Sequence, residues 1–306
     1  MYEQFYGLSD APFALLPDPD FLYMSKDHSV ALTLLRYSVL NKQGFTVITG
    51  EVGAGKTTLV NRIIGELDDD ITVGLINFTH NSFGELSEWV LMSYGLEYRD
   101  KTKVEIYDTF VKFLIDEYAA GRRVVLIIDE AQNMSPAALE EVRMLSNVNA
   151  QKDYLLHLIL VGQPELRATL ERYELRQLAQ RVSVFYHLGE LSVTEAEAYV
   201  RHRITCVGGD GELFTAEAVK MIWEQARGLP RVMNTLCDMA LVYGFSSGLK
   251  QIDAAVVREV IADRNRMSLH SEPPRHSAAD VNSGVDASAS ADPGAAGPHL
   301  LRTARD

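Results

Sequence analysis

Residues 50–57 read Gly-Glu-Val-Gly-Ala-Gly-Lys-Thr, which is the complete pattern of a phosphate-binding loop. The apolar run 45–49 before the loop predicts a buried strand, and apolar side chains recur at helical spacing from residue 58 onward. In a strand–loop–helix context, backbone N–H groups and the helix N-terminus converge on the phosphates. We therefore expect a nucleotide-binding domain of α/β class.

The residues of this loop have distinct expected roles. Lys56 would reach the β- and γ-phosphates, and Thr57 would hold Mg²⁺ through its hydroxyl group. The pattern therefore predicts ATP and Mg²⁺ as ligands. The residues expected to surround the phosphates are Gly50, Glu51, Val52, Gly53, Ala54, Gly55, Lys56, Thr57 and Thr58.

A pair of acids follows the most apolar run of the chain, residues 124–128. This run predicts a central parallel strand, with Asp129 and Glu130 at its carboxyl end. Asp129 is a candidate Mg²⁺ ligand, and Glu130 is a candidate base that polarises the attacking water. The alternative for Glu130 is an ordinary solvated carboxylate. We expect a triphosphate to bridge the loop and these acids across adjacent strand tips.

Three further polar residues are candidates for contact with the γ-phosphate. Gln163 follows the apolar run 155–161 and can orient the water, although it can also simply start a helix. Arg231 lies in the first turn of a helix and can contact the γ-phosphate. Arg181 ends a helix before the last strand and can act on a neighbouring subunit as an arginine finger, with Arg176 as its main competitor. A surface salt bridge is the alternative for Arg181 and Arg176.

Weaker candidates lie at the end of one strand and near the N-terminus. Asn77 can hydrogen-bond Glu130 and hold it away from the water, or it can be a plain strand-ending residue. Phe21, Tyr23 and His28 can contact the adenine and ribose. Core packing is the alternative for the two aromatic residues.

Strand and helix patterns alternate up to about residue 188. Strands are predicted at 45–49, 71–78, 124–128, 155–161 and 183–187, with helices near 56–67, 84–95, 104–120, 135–147 and 164–180. The alternation predicts a three-layer α/β fold in which helices cover both faces of a parallel sheet. We divide the chain into an α/β domain (1–188), an all-helical lid (189–267) and a disordered tail (268–306).

Helix boundaries can also be predicted from capping residues. Ser25 is expected to cap a helix that buries one side bearing Val30, Leu34, Tyr37 and Leu40. In the lid, four helices are predicted near 194–206, 215–226, 230–243 and 253–265. The first is expected to begin with a capping box formed by Thr194 and Glu197.

Several strings of residues together resemble those of the AAA+ ATPases, and more narrowly those of the ExeA/GspA family. The resemblance runs from residue 1 to about 265. It implies Walker A at 50–57, Walker B at Asp129 and Glu130, sensor 1 at Gln163, a finger at Arg181 and sensor 2 at Arg231. The strings are Met1-Tyr2, Phe5-x-Gly7-Leu8, Pro12-Phe13, Pro17-Asp18-Pro19-x-Phe21-Leu22-Tyr23, the loop itself, Asp129-Glu130-Ala131-Gln132 and Val161-Gly162-Gln163-Pro164-Glu165-Leu166.

This resemblance predicts an ATPase that powers or gates assembly or export in a secretion, exopolysaccharide/exosortase or pilus system. The candidate finger Arg181 predicts a homo-oligomeric ring. ExeA and GspA proper continue into a membrane helix and a peptidoglycan-binding domain, which we do not expect here, so the chain looks more like their stand-alone relatives. No run reaches the length of a membrane span. We expect a cytoplasmic protein that partners can hold at the inner membrane.

Two other functions remain open from the sequence. The chain can be a nucleotide-gated adaptor with little turnover, because the same residues serve both roles. It can also be a DNA-transposition regulator of the more distantly related TniB type, which requires a basic face on the lid near Arg201, His202 and Arg203. The net charge of −13 argues against a nucleic-acid partner.

Overall fold

The computed structural model describes residues 1–15, 21–41, 44–77, 85–150 and 153–267. Residues 1–267 form one compact unit. Residues 17–20, the first part of the Pro17–Tyr23 string, and the predicted disordered tail lie outside the described residues. The domain boundaries proposed from the sequence stay a prediction.

Five strands form one sheet, and every pairing within it is parallel. They are β1 (Phe45–Gly50), β2 (Ile71–Asn77), β3 (Arg123–Asp129), β4 (Leu156–Gly162) and β5 (Val182–Leu188). Their order across the sheet is β2-β3-β4-β1-β5. This confirms the predicted parallel α/β core. We predicted that the loop after β1 and the acids after β3 lie on adjacent strands. This is wrong, because β4 lies between β1 and β3.

Helices cover both faces of the sheet and then continue alone towards the C-terminus. Those before β5 are α1 (Glu3–Tyr6), α2 (Lys26–Leu40), α3 (Lys56–Ile64), α4 (Leu86–Ser93), α5 (Lys103–Ala119), α6 (Pro136–Leu145), α7 (Glu165–Leu170) and α8 (Arg176–Ala179). Those after β5 are α9 (Val193–Cys206), α10 (Ala216–Ala226), α11 (Pro230–Ser246) and α12 (Ala254–Met267). No helix in the described ranges is long and apolar enough to cross a membrane.

Alternate residues of β3 enter the two sides of the sheet core. Leu126 packs in the cluster that contains Phe110 of α5, whereas Ile127 packs in the cluster that contains Leu59 of α3. Both side chains are fully buried. A strand covered on both faces loses the polar alternation of a half-exposed strand, which explains the continuous apolar run in the sequence.

The helices after β5 have a hydrophobic core of their own. Cys237, Leu236 and Ile222 lie in its centre, and the N-terminal residues Tyr2 and Phe13 belong to the same cluster. The N-terminus therefore packs against the C-terminal helices. We will call residues 189–267 the lid.

Three local predictions were wrong. The predicted helix 164–180 is broken into α7, a 3-10 turn (Tyr173–Leu175) and α8, because Arg172 is extended (φ −64°, ψ 144°). The capping box of α9 is formed by Ser192 and Glu195, two residues before the predicted pair. Helix α2 has its Ser25 cap, but its buried face carries Ala31, Leu32, Leu35 and Val39, while Val30, Tyr37 and Leu40 of the predicted face are exposed.

Candidate functional site

The turn between β1 and α3 has the backbone shape of a phosphate cradle. Gly53 and Gly55 have φ values of 83° and 95°, in the region that glycine adopts without strain. Helix α3 begins at Lys56, and no side chain caps its first N–H groups. Those N–H groups carry the positive end of the helix dipole and are suited to bind an anion.

The two side chains that open α3 have defined partners. The Lys56 ammonium donates hydrogen bonds to the carbonyl oxygens of Gly50 (2.8 Å) and Glu51 (2.9 Å). Burial lowers the pKa of Lys56, although the Glu130 and Asp129 carboxylates act in the opposite direction. The lysine is therefore buried in the loop with carboxylates as its charged neighbours.

The hydroxyl of Thr57 and the carboxylate of Asp129 meet across the sheet edge. Thr57 Oγ1 donates a hydrogen bond of 2.7 Å to Asp129 Oδ2. Asp129 is buried at the end of β3. A hydroxyl and a carboxylate side by side offer the hard oxygen atoms that Mg²⁺ prefers. These two residues therefore fit the predicted metal role.

Glu130 follows Asp129 in the left-handed region, with φ 54° and ψ 34°. Its N–H donates to Asp129 Oδ1 at 2.8 Å. Its Oε2 accepts hydrogen bonds from the amides of Gln132 (2.5 Å) and Gln163 (3.4 Å). The hydrogen bonds described for the Glu130 carboxylate thus come from these two glutamines, and none described joins it to Asn77.

A cavity of about 370 Å³ opens over this edge of the sheet. Most of the predicted contact residues line it. The lining contains Val52, Gly53, Gly55, Lys56, Thr57, Thr58, Glu130, Gln163, Arg231, Phe21, Tyr23 and His28. Gly50 and Glu51 are not among the lining residues, but their carbonyl oxygens accept hydrogen bonds from Lys56.

The lid contacts the phosphate loop directly. The N–H of Arg231, in the first turn of α11, donates to the carbonyl of Gly53 at 3.2 Å. A Cβ atom added to Gly53 would lie 2.3 Å from Cβ of Arg231. Glycine at position 53 therefore lets the lid helix approach the loop.

The other end of the cavity is built from lid and N-terminal residues that sequence reasoning did not assign to it. Arg203 is buried on α9 and donates to the carbonyls of Pro12 (2.6 Å) and Ala14 (3.1 Å). Its guanidinium also lies 4.5 Å from the ring centroid of Phe21. Tyr199 donates to Asn234 at 2.6 Å, and both line the cavity. No local pattern marks these residues, because their spacing along the chain is irregular.

Arg181 does not line the cavity. Its Nη1 donates to Ser146 Oγ at 3.0 Å, next to the end of α6. Its competitor Arg176 stacks on Tyr173, with 4.2 Å to the ring centroid. An arginine outside the pocket of its own subunit is compatible with action in trans, but the site within one chain does not use it.

His28 lines the cavity beside the phosphate loop. Its Nδ1 lies 2.7 Å from Ser25 Oγ, and a Cβ atom added to Gly55 would lie 2.8 Å from its Nε2. Burial lowers the pKa of His28, against the effects of the Ala54 backbone, Asp27 and Glu195, which raise it. The imidazole thus packs under the phosphate loop.

The sequence is similar to those of known proteins. A family model described as an AAA domain matches residues 39–170. General secretion pathway protein A of Aeromonas hydrophila is 38% identical over 253 residues, which cover 82% of this chain and 46% of that protein. The chain is a GspA/ExeA-like AAA domain protein. Its AAA domain implies nucleotide binding.

Solved structures share the fold of this GspA/ExeA-like protein. Cdc6p from Pyrobaculum aerophilum gives a TM-score of 0.64 at 16% identity, over 81% of this chain and 71% of that chain. The Aeropyrum pernix ORC2 protein gives 0.62 at 15% identity, over 83% and 72%. At these identities the likeness concerns the fold alone. The chain spans under half the length of the secretion-pathway relative, 46%.

Proposed function

We propose that this protein binds ATP with Mg²⁺ and hydrolyses it, and that hydrolysis powers or gates assembly or export at the envelope. The observation that carries the proposal is the single cavity shared by Lys56, Thr57, Glu130, Gln163 and Arg231. These residues supply a cation, a metal-binding hydroxyl, a carboxylate base, an amide and a second cation around one space.

The chemistry would be in-line attack of water on the γ-phosphate. Glu130 would accept the proton of the attacking water, while Gln163 would orient that water. Lys56 and the lid residue Arg231 would neutralise charge on the phosphates. Thr57 and Asp129 would hold Mg²⁺, which neutralises charge on the phosphate oxygens. Positioning and electrostatics thus make up the main contributions.

The secretion pathway is the best-supported setting, because the curated relative at 38% identity is a general secretion pathway protein. We propose a partner from envelope secretion, polysaccharide or pilus machinery, at the cytoplasmic face of the inner membrane. A DNA partner has less support. Arg203 is buried, and Arg201 pairs with Glu212 at 2.8 Å, so two of the three basic residues on α9 are engaged within the chain.

Two substitutions test the hydrolytic role. Lys56→Ala is expected to lose ATP binding by calorimetry, because no other side chain of the loop carries a positive charge. Glu130→Gln is expected to keep ATP binding and lower phosphate release at least 100-fold, since an amide cannot accept the proton. Lys112→Ala, on the exposed side of α5, is the control for both measurements.

The outcomes separate the functions. A normal rate in the Glu130→Gln protein would remove Glu130 from the mechanism. ATP-dependent oligomerisation of the wild-type protein with negligible turnover under every condition, including with candidate partners, would favour the adaptor. No heat from ATP and magnesium in folded protein would exclude both.

We also propose that the protein works as a ring in which Arg181 acts on the nucleotide of a neighbouring subunit. The support is its place outside the cavity of its own chain, near the ends of α6 and α8. Mixing Arg181→Ala subunits with Lys56→Ala subunits should restore part of the activity in mixed rings. A mixture as inactive as its components would contradict the trans role.

A further inference from the structure

The amide of Gln132 links two residues of the proposed catalytic edge. Its Nε2 donates to Glu130 Oε2 at 2.5 Å, and its Oε1 accepts the backbone N–H of Gln163 at 2.9 Å. Glu130 follows β3, and Gln163 follows the neighbouring strand β4. One side chain therefore ties the carboxylate after one strand to the main chain after the next.

The local backbone is shaped to allow this link. Glu130 turns the chain through its left-handed conformation, so that Gln132 falls within the one-turn 3-10 helix Ala131–Asn133 and faces β4. At the end of β4, a Cβ atom on Gly162 would lie 2.9 Å from Gln132 Oε1 and 3.2 Å from its backbone nitrogen. The absence of a side chain at position 162 thus leaves the space that the amide occupies.

The side-chain amides of Gln132 and Gln163 both donate hydrogen bonds to the same oxygen of Glu130, Oε2. The bond from Gln132 is 2.5 Å, whereas that from Gln163 is 3.4 Å, at the outer limit for a hydrogen bond. Hydrogen bonds to a charged carboxylate are stronger than those between neutral groups. The Gln132 amide therefore contributes more than Gln163 to the orientation of the carboxylate plane.

We propose that Gln132 is a positioning residue for hydrolysis. Its amide fixes Glu130 by one oxygen, Oε2, and directs the other oxygen, Oε1, towards the attacking water. It also holds the carboxylate at a set distance from Gln163, so that the base and the water-orienting amide move together. This role rests on the proposed hydrolysis of ATP and adds a residue to it.

The prediction distinguishes positioning from binding. Gln132 does not line the cavity, so its loss should leave the contacts with the nucleotide in place. A misoriented base slows the chemical step, because general-base catalysis depends on the geometry of the proton transfer. We expect Gln132→Met, which keeps the length of the side chain and removes its polar atoms, to lower kcat about 10- to 100-fold. KM and ATP affinity should stay within about twofold of the wild-type values.

The experiment measures phosphate release and ATP binding for Gln132→Met, with Gln225→Met on the exposed side of α10 as the matched control. A second measurement repeats the substitution in a Glu130→Ala background under single-turnover conditions. If Gln132 acts through Glu130, the double variant should be no slower than Glu130→Ala alone. A residue with a merely structural role would lower the rate in both backgrounds and weaken ATP binding.

Each result is decisive for one of the two proposals. A Gln132→Met protein with wild-type kcat, or with equal losses in kcat and ATP affinity, would overturn the positioning role alone. Additive losses in the Glu130→Ala background would do the same. A wild-type protein that binds ATP without turnover would instead overturn the proposed hydrolysis, and the role of Gln132 would fall with it.

Discussion

The two ends of the cavity differ in how their residues are distributed along the sequence. The end expected to hold the phosphates is formed by the loop 50–57 and by the acids after β3. Each of these is a short contiguous stretch that follows a strand. The end expected to hold the adenine base, which we call the base end, is formed by residues 14–15 and 21–23 with Tyr199 and Arg203 of α9. The first is local and can be recognised as a motif. The second exists only after the N-terminus has packed against the lid.

This difference suggests a division of labour. At the proposed phosphate end, charge and backbone N–H groups would determine binding, and the loop conformation itself fixes their positions. At the base end, the shape depends on whether Arg203 holds the Pro12 and Ala14 carbonyls. A change at the phosphate end should therefore lower the affinity for both ATP and pyrophosphate. A change at the base end should lower the affinity for ATP alone.

The largest effect is expected where the lid meets the phosphate loop. Gly53→Ala places a Cβ atom 2.3 Å from Cβ of Arg231 at a φ of 83°, so the loop or α11 must move. We expect ATP affinity to fall about 100-fold, which corresponds to about 2.7 kcal/mol. Calorimetry with ATP and with pyrophosphate measures the loss, and both ligands should be affected.

Gly121→Ala is the matched control, because Gly121 also has a positive φ (76°) but nothing lies within 4 Å of its Cβ position. It should cost about 1 kcal/mol of stability from backbone strain and leave ATP affinity unchanged. Equal affinity losses in the two variants would show that the approach of the lid is unimportant.

Arg203→Met should have a smaller effect that is confined to the base end. It removes two hydrogen bonds from a buried guanidinium and its contact with Phe21, and we expect about 2–3 kcal/mol of lost stability. ATP affinity should fall about tenfold, while pyrophosphate affinity should change little. Thermal unfolding and calorimetry give the two quantities.

Arg203→Lys keeps the charge but loses the planar fork that reaches both carbonyls, so it should behave like Arg203→Met. If pyrophosphate and ATP lose affinity in parallel, the division between the two ends of the cavity is wrong.

The smallest effect concerns His28, which lines the cavity beside Gly55. Its native pKa is lowered, so the unfolded state binds more protons and stability increases with pH. Its stabilising contribution is complete above the ordinary pKa of about 6.5 and is lost as the pH falls from there towards the native pKa. His28→Gln should reduce the slope of the free energy of unfolding against pH in this range, by at most about 1.4 kcal/mol per pH unit.

Chemical denaturation between about pH 7 and pH 5 measures that slope. His187→Gln, at an exposed position on β5, serves as the control. The lowered pKa values of Glu66 and Glu117 stabilise the fold, and this contribution is lost only as the pH falls below the ordinary carboxyl range, outside the window. Burial also lowers the pKa of His202, which adds to the slope equally in the wild-type and His28→Gln proteins. A slope that is unchanged in His28→Gln would remove this histidine as its cause.

Most of the sheet could be predicted from the sequence because its signals are local. The five strands lie within a residue or two of their predicted ranges, since each is a short stretch rich in apolar and β-branched residues between polar turns. The strand order could not be predicted from these runs, because pairing depends on contacts between distant segments. The assumption that β1 and β3 are adjacent was wrong for that reason.

The errors in the helices have a common physical cause. On α2, apolar residues occur on more than one face, and the choice between Leu35 and Tyr37 was decided by packing against the sheet. At α9, Ser192 and Thr194 each stand three residues before a glutamate, so two capping boxes were available. The structure uses the earlier pair, and Glu195 also accepts the Lys26 N–H at 3.0 Å, a long-range contact that the local sequence does not reveal.

Gln132 and Arg203 were missed as functional candidates for opposite reasons. Gln132 lies beside the acid pair, but its importance depends on the distance to Gln163, which the sequence does not contain. Arg203 is a basic residue on a helix, which suggested a surface position, and only the structure shows that it is buried.

The contact between the Arg231 N–H and the Gly53 carbonyl joins main chain to main chain. This hydrogen bond does not depend on the arginine side chain, so an Arg231→Ala protein should keep it while losing the guanidinium. Rotation of the Gly53 peptide would break the connection without any side-chain event. Movement of α11 in response to ligand should therefore survive the loss of the arginine charge.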